Sequence, residues 1–216
     1  MPNWLWPPVI GLFGMLQDFS LDPLAIRQVY GITGGTSGRW NWLIAPGDVN
    51  ILRIPVFNFP GWMLIMLYGS ACLLLGRWWY RKSGYRLIVG IIYPFLAMIA
   101  ALLLMISPIS NLLLWLGPVF QKGSFIEWIM LAFHLIVPTG LLIFLWRGRM
   151  TSRFTIDDLP IFIVPGVLHL SDILFTLLGG FSDILWIVLL ASFTQITFLL
   201  FAYWNNRALV RQVPAV

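Results

Sequence analysis

Residues 87–106 read LIVGIIYPFLAMIAALLLMI, twenty positions without a charged side chain. A helix of that length rises about 30 Å, the thickness of a bilayer's hydrocarbon core. The run therefore reads as a membrane-spanning helix, and the whole chain is of the same kind. Of its 216 residues, 60% are hydrophobic and 10% charged, and the mean hydropathy is +0.89. A soluble domain carries about a quarter charged residues, so composition points to an integral, multi-pass membrane protein.

Outward from this run, the same criterion yields six spans: 4–19, 61–76, 87–106, 125–146, 159–179 and 184–204. The shorter stretch NLLLWLGPVF (111–120) reads as an interfacial or re-entrant turn. Basic residues set the orientation, because Lys and Arg accumulate in cytoplasmic loops. Nine fall on one side (Arg77, Arg81, Lys82, Arg86, Arg147, Arg149, Arg153, Arg207, Arg211) and four on the other (Arg27, Arg39, Arg53, Lys122). Both termini are thus expected in the cytoplasm, and the net charge of +5 is no footprint for nucleic acid. Tryptophans at span ends, Trp4, Trp62, Trp128 and Trp204 among them, fit an interfacial belt. The opening MPNWLWPPVIG lacks a basic leader and reads as a retained membrane segment. Cys72, the single cysteine, excludes an internal disulfide.

The expected fold is all-α: a single integral membrane domain over 1–216, with six transmembrane helices and a long non-cytoplasmic connection over 21–60. Pro94, Pro138 and Pro165 fall inside spans, where neighbouring helices can re-satisfy the freed carbonyls. Trp40, Trp42, Phe57 and Phe59 give the connection aromatic anchors, so it is expected to fold over the bundle.

Asp18 and Asp22 stand out in LQDFSLDPLAIRQ (16–28). An unbroken helix would put both on one face. Alternatively, Asp22 caps a short new helix that starts at Pro23, a residue favoured at the first helical position. Asp18 has no such local role, and an ionisable side chain near a span's end normally faces the bundle interior or a wet cavity. A carboxyl deprived of water beside a second carboxyl is a natural proton donor.

A second polar set is Glu127, His134, His169 and Asp172. The two histidines lie mid-span in the fourth and fifth spans, which would let them meet at one depth. Such a pair could ligate haem, relay protons or tie helices together by hydrogen bonds. The repeated LSDILFTLL (170–178) and FSDILWIVL (181–189) offers Ser182 or Asp183 as the cap of the sixth span. The chain has no Walker loop, dinucleotide fingerprint, HExxH or nucleophile elbow.

Taken together, QDFSLDPLA, WNW and IPVFNFPGW resemble the membrane proteins of carotenoid biosynthesis typified by carotenoid 1,2-hydratase and bisanhydrobacterioruberin hydratase. The resemblance covers about residues 10–80, leaving the four spans of 87–204 outside it. It implies Asp18 and Asp22 as catalytic acids, with Trp40, Trp42, Pro55, Asn58, Phe59 and Trp62 around the substrate. The implied chemistry protonates the terminal double bond of an acyclic carotenoid, forms a tertiary cation and traps it with water. It needs no cofactor or metal. The implied partners are a polyene or isoprenoid lipid and the surrounding lipids of a prokaryotic cell membrane. Two other readings are a non-enzymatic subunit that binds pigment, quinone or lipid beside a partner membrane subunit, and a small proton-coupled transporter.

Overall fold

A computed structural model describes residues 3–27, 42–44, 46–113, 125–146 and 160–211. The described chain is mostly helical. A 3-10 turn at Asn3–Leu5 leads into α1 (Trp6–Ala25), followed by a small hairpin of β1 (Asn50–Ile51) and β2 (Ile54–Pro55). Then come α2 (Asn58–Lys82), α3 (Leu87–Met105), α4 (Pro108–Leu113), α5 (Ile126–Leu141) with a π turn over Leu142–Trp146, α6 (Pro160–Leu178) and α7 (Leu185–Arg211).

Three of these helical stretches are long and apolar enough to cross a membrane: Asn58–Lys82, Leu87–Met105 and Ile126–Leu145. Ile163–Leu178 and Leu185–Phe201 are shorter apolar helices. In α3 only Val89 and Ala97 are buried, and Ile91, Phe95, Met98 and Leu102 project outward. A helix apolar all round, packed mainly on α2 among the described residues, suits a lipid surrounding.

The bundle is organised around α1, which packs on α2, α5, α6 and α7. Its partnership with α2 is antiparallel and close, because Gly11 and Gly14 leave room. A Cβ built on Gly11 would stand 2.9 Å from the Met63 carbonyl oxygen, and one on Gly14 would stand 2.5 Å from the Met66 side chain. Towards the other end, Phe19 stacks on Phe59 with ring centroids 4.0 Å apart and planes 9° from parallel. Leu12, Met15, Leu64, Ile184 and Val188 complete the buried core between α1, α2 and α7. The hairpin joins that core through Ile54 and Val56, so residues 46–57 do fold against the bundle.

Two expectations about the first span are corrected. The helix does not end near Phe19, and Asp22 does not cap a new one: α1 runs through Asp18, Asp22 and Pro23 to Ala25. Pro23 removes the amide hydrogen that would bond to the Phe19 carbonyl, but only two further residues follow it in the helix. Side-chain packing by Phe19, Ser20 and Leu24, all buried, holds the last turn in register. The connection consequently begins after Ala25, and α2 starts at Asn58, ahead of the expected Gly61. Trp40, residues 114–120 of the expected re-entrant turn, and the basic loop 147–153 lie outside the described residues.

α6 is continuous through Pro165, Gly166, Ser171 and Asp172. Pro138 sits inside α5, one turn before the π turn. A missing backbone donor is a recognised origin of such irregularity.

Candidate functional site

The unbroken α1 carries two polar faces. Asp18 and Asp22, four residues apart, point at the start of α2. Gln17 and Ser20 point the other way, at α6 and α7.

On the first face, Asp18 and Asp22 are 4% and 2% exposed, so neither carboxyl reaches bulk solvent. Asn58, the first residue of α2, is also buried, and its Nδ2 donates to Asp18 Oδ2 at 2.7 Å and to Asp22 Oδ2 at 2.8 Å. A side-chain amide nitrogen has two hydrogens, and here both are committed to the acids. The carboxyls are also close enough to interact with each other. The N-terminal end of α2 adds the positive pole of its macrodipole, which favours negative charge nearby. This arrangement suits one negative charge on the pair far better than two.

The local sequence explains the geometry. The spacing of four aligns the acids, Phe19 on Phe59 fixes the helix register beside them, and the hairpin delivers Asn58 at the first position of α2. Trp42 completes this end. Its indole stands against the Asp22 carboxyl, yet the buried Nε1–H meets no acceptor in hydrogen-bonding geometry.

The remaining residues of the expected substrate wall are not brought together. Phe59 is wholly buried against Phe19, Pro55 is buried in β2, and Trp62 is exposed on the outside of α2. Phe59 acts as a register lock, and sequence order alone could not separate that role from a binding surface.

On the second face, Ser20 Oγ donates to Asp172 Oδ2 at 2.7 Å, and Gln17 Nε2 donates to the same oxygen at 3.0 Å. His169 is fully buried beside them. Its Nε2 lies 2.9 Å from Gln195 Oε1, and its Nδ1 lies 3.0 Å from Ser192 Oγ and 3.3 Å from Ser20 Oγ. With the Gln195 oxygen accepting, Nε2 carries the hydrogen and Nδ1 accepts from a serine hydroxyl. Thr176 Oγ1 donates to the Asp172 backbone carbonyl at 2.7 Å. The network joins α1, α6 and α7 through side chains that mostly lie inside apolar helices.

Half of the expected second cluster is therefore joined and half is not. Asp172 and His169 share the network, but His134 Nδ1 donates to the Met130 carbonyl of its own helix at 2.8 Å. The helix packing explains the separation, because α5 lies on α1 and α2 whereas α6 lies on α1 and α7. Glu127 is half-buried in the first turn of α5. Gln17, Ser20, Ser192 and Gln195 were missed in the sequence, where isolated small polar residues inside spans are common helix-contact residues. The one available signal was the i, i+3 spacing of Gln17 and Ser20, opposite the acids.

Just past the C-terminal end of α1, Arg27 pairs with Asp183 (Nη2–Oδ2 2.7 Å, Nε–Oδ2 2.9 Å). α7 begins at Leu185, so neither Ser182 nor Asp183 is its cap, and Asp183 instead ties the turn ahead of α7 to the end of α1. Comparison with protein-family models, curated proteins and solved structures finds no match to this chain.

Proposed function

We propose that the protein is a membrane-embedded, isoprenoid-modifying enzyme that adds water across a terminal double bond of an acyclic carotenoid, with Asp18 and Asp22 as its acid. The observation that carries the reading is the buried carboxyl pair held on a single amide donor at a helix N-terminus. Two carboxyls in that setting hold one proton between them, because a second full charge would be repelled in a medium that screens poorly.

The chemistry balances without a cofactor. The protonated carboxyl gives its hydrogen to the terminal alkene carbon, leaving a tertiary cation and a carboxylate. A water oxygen bonds to the cation, and its surplus proton returns to the carboxylate. The acid is thereby regenerated. A hydrocarbon substrate reaches such a site from the bilayer, which fits the apolar exterior of α2 and α3. The same reading adopts six spans with both termini cytoplasmic, placing the acid pair near the opposite interface.

The test is expression in a lycopene-producing host. A more polar, hydroxylated pigment is expected from the wild type and none from Asp18→Asn at equal membrane abundance. A correctly inserted wild type that leaves lycopene unchanged refutes the proposal.

A further inference from the structure

The acid pair is closed to solvent, yet the proposed reaction consumes one water per turnover. Its proton is recycled, so water is the species that the site must import. A polar cleft lies on the far side of Trp42 from Asp22. At the end of α1, Ile26, Arg27, Trp42, Ile44, Arg53 and Asp183 enclose about 530 Å³. The Arg27–Asp183 ion pair forms part of its wall, and Arg53 joins the rim from the turn of the hairpin. That turn holds Leu52 and Arg53 at φ 52° and 71°, a left-handed conformation that costs non-glycine residues roughly 1–2 kcal/mol each. Such strain is typical of segments whose position matters to function.

Trp42 is common to the cleft and the acid site. It lines the cleft, its indole stands against Asp22, and its buried N–H has no acceptor. A buried donor left unmet is costly. A buried water needs two or more polar partners, and the indole hydrogen with the Asp22 carboxyl supplies both. We infer that this cleft is the water inlet of the acid site and that Trp42 is the positioning residue for the reacting water, held between Nε1–H and Asp22. The catalytic half of the inference rests on the proposed hydration, whereas the inlet does not.

Two measurements test it. The first needs no substrate: the protein in nanodiscs is treated with a water-soluble carbodiimide and glycinamide, and modification of Asp22 is followed by peptide mass spectrometry. Relative to wild type, Trp42→Ala should react several-fold faster and Ile44→Trp, which narrows the cleft, several-fold slower. Equal rates in all three proteins overturn the inlet.

The second uses lycopene in D₂O and Trp42→Phe, which keeps an aromatic ring and deletes the N–H. A cation formed without a placed water returns to alkene by losing a proton, leaving deuterium behind. The ratio of deuterated lycopene to alcohol should rise roughly tenfold, the worth of one hydrogen bond. A merely structural role would lower both products together, and an unchanged ratio overturns the positioning role. If the wild type forms neither product, the hydration proposal and the positioning role fall together, and the carbodiimide rates still decide the inlet.

Discussion

Replacing Asp18 by Asn separates two charge states of the acid pair. The new side chain keeps an oxygen where Asn58 Nδ2 now donates at 2.7 Å. Hydrogen bonding therefore changes from charge-assisted to neutral, a loss of about 1 kcal/mol. The electrostatic consequence depends on how many charges the pair carries. Two full charges about 4 Å apart at an effective dielectric of 20 repel by about 4 kcal/mol. If both carboxyls were ionised, removing one charge would relieve that repulsion and stabilise the protein by about 3 kcal/mol net. A pair that already shares a proton has no such repulsion to relieve. Asp18→Asn is then expected to fall within about 1 kcal/mol of wild type, on the destabilised side. Equilibrium unfolding in mixed micelles measures the difference, and pigment analysis in the lycopene host checks that activity is lost. A stabilisation near 3 kcal/mol would refute the shared proton, and retention of hydroxylated product would refute Asp18 as the acid.

Gly11→Ala should destabilise the α1–α2 contact by about 1–3 kcal/mol, since its Cβ would meet the Met63 carbonyl. Gly61→Ala, with nothing within 4 Å of the new carbon, should be neutral or slightly stabilising in the same unfolding assay. Ser20→Ala takes a donor from the buried Asp172 and should cost about 1–3 kcal/mol. Thr194→Ala, whose hydroxyl bonds only within its own helix on an exposed face, should change the midpoint little. Asp183→Asn should cost less than about 1 kcal/mol, because Asp183 is largely exposed. That difference should shrink further as salt is raised in the unfolding buffer.

Legibility in the sequence followed the length of uniform apolar runs. The third span agrees with α3 to within one residue, because nothing inside 87–106 competes with a helix. The end of α1 was misread because Asp-Pro is also a helix-start signal, and local capping rules cannot anticipate Phe19 stacked on Phe59. Asp18 and Asp22 stood out as charge in an apolar chain, whereas Asn58 entered only through the family resemblance, as a residue around the substrate and not as their partner. Their convergence on one amide nitrogen depended on the antiparallel register of α1 and α2, which the two glycines set at close range. The pairing of His134 with His169 failed for a topological reason: consecutive helices need not be neighbours, and α1 lies between their partners. Ser192 and Gln195 carried no periodic or charge signal that could have marked them.

The two-sided polarity of α1 bears on how the molecule is made. An aspartate costs about 2.5–3.5 kcal/mol at the centre of an inserting helix and less towards its end, and α1 carries two in its last two turns together with Gln17 and Ser20. Emerging from the ribosome, this helix is a poor solute for lipid until α2 supplies Asn58. Its opposite flank then waits for His169, Asp172 and Gln195, synthesised more than a hundred residues later. A chain that stops before residue 160 leaves the Gln17–Ser20 flank of α1 without any of its partners on α6 and α7.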